Sequence, residues 1–207
     1  MDAPLSLTLL YTAGIAGDLA LLPRLHTFLQ RLKPGDTRNT LLLDLGGSCS
    51  DAVWHCRATG NRSALIVLDG MGYHAANVEG LLDAENRAKL AQRVTLALVD
   101  RQNEWLCHLS PAAEGGIVTR LQPVENSAWL QIMLKPSEST CLEGKVLRLQ
   151  GVYAGQVGEA AVDMRGESSL VSACIHVMPA DTPPNPSIAG AVDFVLSEAR
   201  LFQRKQT

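Results

Sequence analysis

A glycine-rich stretch after an apolar run is the first place in this sequence where chemistry could occur. The run 40–45 predicts a buried strand, and Gly46-Gly47-Ser48-Cys49-Ser50 follows it directly. Parallel sheets present ligand-binding groups at the carboxyl ends of their strands, so the backbone N–H groups here could hold an anion. Cys49 could also act as a nucleophile, with His55 or His74 as its base. Because the sequence has no G-x-S-x-G elbow and no P-loop lysine, a plain turn is the favoured interpretation.

Two carboxylates, Asp44 and Glu79, lie nearest this stretch in the predicted topology. A lone pair of this kind caps or solvates backbone groups more readily than it performs acid–base catalysis, so no catalytic residue is assigned. The sequence predicts a candidate pocket for a small ligand or an anion, formed by Asp44, Gly46, Gly47, Ser48, Cys49, Asn77 and Glu79.

A structural zinc site is a second reading of the cysteines and histidines. His55-Cys56 and Cys107-His108 together offer four nitrogen and sulfur donors. Adjacent residues on a strand point to opposite faces, however, and no C-x-x-C motif is present, so ordinary buried thiols are favoured. Five widely spaced cysteines, an odd number, predict reduced thiols without a disulfide.

The composition indicates a compact globular protein and argues against several classes of function. The 207 residues are 46% hydrophobic, enough to bury a core in a single domain spanning residues 1–207. The formal charge of −3 is spread without a basic stripe, which argues against a nucleic-acid partner. The apolar run 5–11 is too short for a signal peptide or a membrane span, so a cytoplasmic protein without membrane contact is predicted.

The first half of the sequence predicts alternating strands and helices, and the second half predicts mainly strands. Residues 5–11, 22–32 and 40–45 predict a strand, a helix and a parallel neighbour of the first strand. Further elements are predicted as a helix at 63–71, a strand at 74–78, a helix at 83–93 and a strand at 94–99. After Asp100, short apolar runs separated by Gly, Pro, Asn and Ser predict a β-rich and largely antiparallel half, with strands at 105–109, 117–121, 129–134, 146–149, 159–163 and 170–177.

The C-terminal part predicts a rigid connector and one long helix. Residues 179–186 are rich in proline, and Asn185 can cap a helix that has Pro186 in its first turn. The apolar residues of 187–204 fall on one stripe, so this helix is predicted to pack on the body.

Three motifs in the first half resemble the 5′-nucleotidase type of the calcineurin-like metallophosphoesterases. Residues 9–17, ending Thr12-Ala13-Gly14-Ile15-Ala16-Gly17, resemble the family's first strand and its T-N-D-I-H-G loop. Residues 39–48 resemble N-T-L-L-L-D-A-G-D-S, and 71–78 resemble M-G-Y-D-A-A-T-L, which in the family leads into G-N-H-E. The resemblance implies metal ligands at positions that are occupied here by Gly14, Ala16, Gly47 and Gly80, with Leu81 in place of the phosphate-contacting His.

The resemblance is looser beyond these motifs. Residues 151–159 are similar to the stretch that follows the family's G-H-x-H metal motif, but the nearest placement of that motif is Pro136-Ser137-Glu138-Ser139. The substrate-binding C-terminal domain of the nucleotidases has no counterpart in the sequence.

The resemblance implies an abbreviated α/β fold, a layered β-sandwich flanked by helices. Two bridged cations require oxygen and imidazole donors, which glycine, alanine and leucine lack, so we expect no metal cofactor and an inactive homologue with a binding or regulatory role. Gly14, Gly47 and Gly80 should then meet at the carboxyl ends of adjacent strands.

Two alternatives stay open. One is a purely structural subunit of a complex that partners an active enzyme. For the chain itself, the predicted partner is an unknown protein or a second copy. The other is a phosphoesterase whose Mn, Zn or Mg is held by shifted ligands, for which the available donors are Asp18, Asp44, Asp51, His74 and Glu79.

Overall fold

The computed structural model describes residues 6–33, 39–108 and 116–205. Three predicted features lie outside these ranges: Leu5 at the start of the strand 5–11, Pro34-Gly35 as the sequence that ends the helix 22–32, and Leu109 at the end of the strand 105–109. The strands are β1 Ser6–Thr12, β2 Thr40–Asp44, β3 Ala75–Asn77, β4 Ala97–Val99, β5 Trp105–Cys107, β6 Ile117–Arg120, β7 Leu130–Ser137, β8 Cys141–Glu143, β9 Val146–Gln150, β10 Gln156–Asp163 and β11 Ser169–Val177. The helices are α1 Leu22–Leu32, α2 Trp54–Thr59, α3 Ser63–Gly70, α4 Ala84–Ala91 and α5 Pro186–Lys205.

The first sheet has six strands in the order β11-β10-β1-β2-β3-β4. Strands β1 to β4 are parallel neighbours, as the alternating pattern predicts, because each is followed by a helix or a crossover that returns the chain to the same end. Strand β10 adds antiparallel to the other side of β1, and β11 forms the edge of the sheet as its hairpin partner.

The second sheet has five strands in the order β5-β6-β7-β9-β8. Among the described residues, four of the six pairings that involve strands after Asp100 are antiparallel, so the prediction of a largely antiparallel half is confirmed, with an exception at the centre of this sheet. The two central pairings, β6 with β7 and β7 with β9, are parallel, while β5 and β8 join antiparallel at the edges. Turn residues mark where strands end, but they do not say which strands pair. The long loop between β6 and β7 carries the chain back to the end of the sheet where β6 begins, so β7 pairs parallel with β6.

Two apolar cores hold the layers together. The inter-sheet core lies between the two sheets, and the helix-side core lies between the first sheet and the helices. On β1, Leu7, Leu9 and Tyr11 belong to the inter-sheet core, while Leu10 belongs to the helix-side core. This alternation follows from the two-residue period of a strand, and both sides are apolar because both faces of the first sheet are covered. The result is a β-sandwich flanked by helices, the architecture predicted from the sequence.

Helix α2 was not predicted, and its sequence explains why. It has only six residues, lacks a side-chain cap and includes Trp54, His55 and Arg57, so it presents no apolar period of its own. It ends at Gly60, whose φ of 58° places it in the left-handed region that glycine adopts readily.

Helix α5 packs on α1, α2 and α3, with Ile188, Val192, Val195 and Ala199 buried. Its start is capped by Asn185, whose Oδ1 accepts hydrogen bonds from the N–H groups of Ser187 and Ile188. The side chain of Arg24 on α1 donates to three carbonyl oxygens of the connector, those of Pro179, Ala180 and Thr182. No helix in the described ranges is long and apolar enough to cross a membrane.

Candidate functional site

A cavity of about 440 Å³ opens where the carboxyl ends of β1, β2 and β3 meet the second sheet. Four of its lining residues are glycines, and they include Gly14, Gly47 and Gly80, so the convergence predicted from the sequence motifs is confirmed. The full lining is Ala13, Gly14, Leu45, Gly46, Gly47, Asn77, Glu79, Gly80, Leu81, Pro136 and Val152.

The loops after β1 and β2 are bonded to each other through their backbones. The N–H of Gly14 donates to the carbonyl of Gly46 at 2.9 Å, and that of Ala16 donates to Gly47 at 2.7 Å. Gly14 and Gly47 have positive φ, and a Cβ on Gly47 would lie 3.2 Å from the Cα of Gly14. Ala16 also has a positive φ, of 53°, which is uncommon outside glycine. The backbone thus holds a tight double loop that presents no side-chain donor to the cavity.

The Asn77 side chain lines the cavity and is hydrogen-bonded to both sheets. Its Nδ2 donates to the carbonyl of Leu45 at 3.1 Å and to that of Leu134 at 2.8 Å, so it joins the first sheet to the second. Its Oδ1 accepts the N–H of Glu79. The Glu79 carboxylate is itself paired with Arg101, with Oε1 at 2.8 Å from the guanidinium Nε. Both polar side chains of the lining therefore already have partners.

We expect Asn77→Ala to lower the free energy of unfolding by about 2 kcal/mol, because it leaves two carbonyls of different sheets without their donor. Urea unfolding measures this loss. Asn77→Asp keeps the shape and the acceptor but removes the donor, so it should be at least as destabilising as the alanine variant. An aspartate variant as stable as the wild type would contradict the bracing role.

Three residues of the predicted pocket lie beneath the cavity rather than in its lining. Asp44 and Ser48 are fully buried, and the Ser48 hydroxyl donates to Oδ2 of Asp44. Oδ1 of Asp44 has no hydrogen-bond partner among the described residues. Burial raises the pKa of Asp44 to about 6, opposed by the hydrogen bond from Ser48 and by Gly46 and Thr12.

Cys49, the third of these residues, faces the helix-side core. Its Sγ lies 3.4 Å from the hydroxyl of Ser63, whereas His55 bonds to Ser63 and to the carbonyl of Gly17. The hydrogen bond with Cys56 and burial both raise the pKa of the Cys49 thiol. The structure therefore contradicts the reading of Cys49 as a nucleophile with His55 as its base, because the thiol is deep in the core and unactivated.

His74 is not a base for Cys49 either. Its Nδ1 accepts the backbone N–H of Leu42 at 2.9 Å, and burial lowers its pKa, so the ring is held neutral as a structural acceptor. The donors of the disfavoured zinc interpretation are also separated: Cys56 belongs to the helix-side core, with His55 bonded to Ser63 beside it, and Cys107 packs against the inter-sheet core. That zinc quartet is wrong.

The shifted ligands considered for a phosphoesterase do not form a metal site. Asp18 accepts the N–H of Leu21, and Asp51 accepts from Asn61. In the part of the chain that the structure describes, no three of Asp18, Asp44, Asp51, His74 and Glu79 bring their ligand atoms within reach of one ion.

The sequence motifs missed one feature of the cavity, its apolar wall. Pro136 on β7 and Val152 after β9 line it from the second sheet. Pro136 is the first residue of the nearest placement of the G-H-x-H motif, and that placement stays a prediction. Val152 carries no chemical signal that would distinguish it in the sequence.

The two layers, the helices and the cavity at the strand ends define the fold of the calcineurin-like phosphoesterases, in the form found in 5′-nucleotidases. Solved structures with this fold include the calcineurin-like phosphoesterase YfkN from Bacillus subtilis, at a TM-score of 0.64 and 9% identity over 99% of this chain and 100% of that one. No protein-family model and no curated protein matches the sequence.

Two further structures share the fold but are longer. They are the NAD nucleotidase of Haemophilus influenzae, at a TM-score of 0.59 and 11% identity, and a 5′-nucleotidase precursor of Thermus thermophilus, at 0.60 and 13%. Each alignment covers 95% of this chain but only 63% and 59% of the other. The chain therefore spans about three fifths of these two proteins.

The fold family implies a pair of metal ions, and the residues present here do not fit them. Such a site needs several carboxylate, amide or imidazole donors aimed at one point. Among its described lining residues the cavity has only Asn77 and Glu79, and both are held by other groups. The donor set of a bimetallic hydrolase is therefore missing from this cavity.

Proposed function

We propose that this chain is a catalytically inactive relative of the phosphoesterases that binds a small, uncharged organic ligand in the glycine-lined cavity. One observation carries the proposal: the cavity at the strand ends is present, but side chains that could bind a metal pair are missing from its described lining residues. Gly14, Gly47 and Gly80 occupy the metal-ligand positions of the family motifs, yet the space they surround is still about 440 Å³. Volumes of this size are typical of small-molecule sites.

The lining argues for the class of ligand. Apolar side chains form most of the wall, namely Ala13, Leu45, Leu81, Pro136 and Val152. No lysine, arginine or histidine is among the described lining residues, and the one charge, Glu79, is negative. A phosphate group would meet no cation there, so a neutral ligand that bonds to backbone groups fits the cavity better.

We expect uncharged fragments to bind to the wild type in ligand-observed NMR, and inorganic phosphate not to displace them. Gly14→Leu should abolish the signal, because a side chain at Gly14 has open space around its Cβ and enters the cavity. Gly166→Leu is the matched control: both glycines have φ of 65° and an open Cβ, but Gly166 lies in the β10–β11 turn, at the opposite end of β1.

Two results would overturn the proposal. Equal fragment binding by the two leucine variants would show that the fragments do not bind in the cavity. Manganese-dependent hydrolysis of a phosphodiester or of nucleoside monophosphates, lost in Gly14→Leu and kept in Gly166→Leu, would restore the phosphoesterase alternative.

The proposal includes a cytoplasmic protein that acts through a partner or through a second copy of itself. Support comes from large apolar side chains exposed on the surface, which include Phe194 on α5 at 64% and Tyr153, beside the cavity residue Val152, at 79%. Exposed aromatic side chains of this kind are common at protein interfaces.

A further inference from the structure

The hairpin of β10 and β11 brings three side chains of different chemistry to one point. Glu159 on β10 pairs directly opposite Cys174 on β11, and His176 lies two residues after Cys174. Because side chains alternate along a strand, Cys174 and His176 project from the same face, and the directly opposed Glu159 joins them there. Val157, two residues before Glu159, belongs to the helix-side core, so this is the face of the sheet that the helices partly cover.

The three donor atoms form a tight triangle. Sγ of Cys174 lies 3.2 Å from Nε2 of His176, which lies 2.7 Å from Oε2 of Glu159, and Sγ and Oε2 are 3.9 Å apart. Zinc bonds of about 2.3 Å to sulfur and about 2.0–2.2 Å to nitrogen and oxygen separate tetrahedral donors by roughly 3.3–3.6 Å. Shifts of about half an ångström would therefore bring all three atoms onto one ion.

The direction of these contacts distinguishes a metal site from a catalytic relay. In a nucleophile–base–orienter arrangement the histidine uses one ring nitrogen for the nucleophile and the other for the carboxylate. Here Cys174 and Glu159 both approach Nε2 of His176. Without a metal, Nε2–H and the thiol can each donate to Oε2 of Glu159. That arrangement leaves Nε2 no lone pair with which to take the thiol proton, whereas one cation can contact all three atoms once both protons have left.

We propose that Cys174, His176 and Glu159 form a zinc site with three protein ligands and a fourth position open to water. In the part of the chain that the structure describes, this is the one group of three metal-ligating side chains that converges. The His176 and Glu159 side chains are 31% and 28% exposed, which leaves access for the ion and the water. A thiolate with an imidazole and a carboxylate selects zinc over magnesium or calcium, and the thiol proton leaves to solvent on binding.

The site is separate from the glycine-lined cavity. None of its three residues lines that cavity or stands at a metal-ligand position of the family motifs. The proposal therefore does not depend on the proposed function, and Gly14→Leu should bind metal as the wild type does.

Titration of the metal-free full chain with Co²⁺ tests the site, followed by displacement with Zn²⁺. We expect one equivalent of Co²⁺ with a thiolate charge-transfer band and the visible bands of four-coordinate cobalt. Cys174→Ser should remove the charge-transfer band. Cys174→Ser, His176→Gln and Glu159→Gln should each weaken Zn²⁺ binding by more than the roughly 10–100-fold typical of losing an outer-shell partner.

Two controls keep the test specific. Cys107→Ser removes a half-buried thiol from the second sheet, and Ser172→Ala changes the same strand two residues before Cys174; both should bind like the wild type. A cobalt spectrum without a thiolate band, or Zn²⁺ affinity unchanged in Cys174→Ser and Glu159→Gln, would overturn the proposal.

Discussion

Replacement of Gly158 by alanine is expected to destabilise the protein by about 3 kcal/mol, at the upper end of the usual effect of overpacking a core. Gly158 pairs with Tyr11 across β10 and β1, and the phenol ring lies over the glycine. A Cβ built there would be 2.0 Å from Cζ and 2.5 Å from Oη of Tyr11. The ring cannot easily move, because Tyr11 is 1% exposed in the inter-sheet core and its hydroxyl is bonded to Thr140.

Urea unfolding of Gly158→Ala, Tyr11→Ala and the double variant separates the clash from other effects. Removing the ring removes the obstacle, so the double variant should lose clearly less than the sum of the two single losses. Gly190→Ala on α5 is the control for an added methyl group, since its Cβ meets nothing within 4 Å and helical alanine is favoured over glycine. Additive losses at positions 11 and 158 would contradict the clash.

Asp44→Asn is expected to stabilise the protein by about 2 kcal/mol at pH 8 and to leave it nearly unchanged at pH 4. The pKa of Asp44 is raised from 3.8 to about 6 by burial, so the folded state binds a proton more tightly than the unfolded chain does. The tighter binding of this proton contributes about 3 kcal/mol to the free energy of unfolding below pH 4. That contribution is lost as the pH rises through 6. Asparagine stays neutral and its Oδ1 can still accept from Ser48, so the variant avoids most of this loss.

Denaturant unfolding of both proteins between pH 4 and pH 8 measures the effect as a difference. Groups common to both chains cancel, including His74, whose pKa is lowered by burial. Its contribution to stability runs the opposite way: it is present above pH 6.5 and is lost as the pH falls through the lowered pKa. Ser48→Ala is a useful companion, because it removes the hydrogen bond that Oδ2 of Asp44 accepts from the Ser48 hydroxyl. A stability difference between wild type and Asp44→Asn that does not change with pH would rule out a titrating Asp44.

Local pattern was enough to predict the first strand, helix and second strand, and the family resemblance was needed to predict the meeting of the three glycines. The apolar runs at β1 and β2 are long and uninterrupted, and parallel strands must end at the same edge of a sheet. Gly14, Gly47 and Gly80 follow the parallel neighbours β1, β2 and β3, so their convergence is a consequence of topology.

The remaining features depend on pairings between distant segments. The parallel register of β7 with β9 and the opposition of Glu159 to Cys174 join residues whose alignment no local pattern specifies. The orientation of Asp44 and Cys49 was missed for a related reason. Both belong to the stretch around the glycine turn. Asp44 lies on the same face of β2 as Leu42, a residue of the helix-side core, and Cys49 packs in that core beside Ser63 at the start of α3.

The position of β1 between β10 and β2 has a consequence for how the chain folds during synthesis. Its two neighbours are separated by more than half of the sequence, so β1 leaves the ribosome long before the strand that covers its second edge exists. Until then an apolar strand has a free row of N–H and C=O groups, the kind of edge that chaperones shield and that aggregates extend. Completion of the first sheet is therefore a late, non-local event, and its rate is set by how soon β10 finds β1.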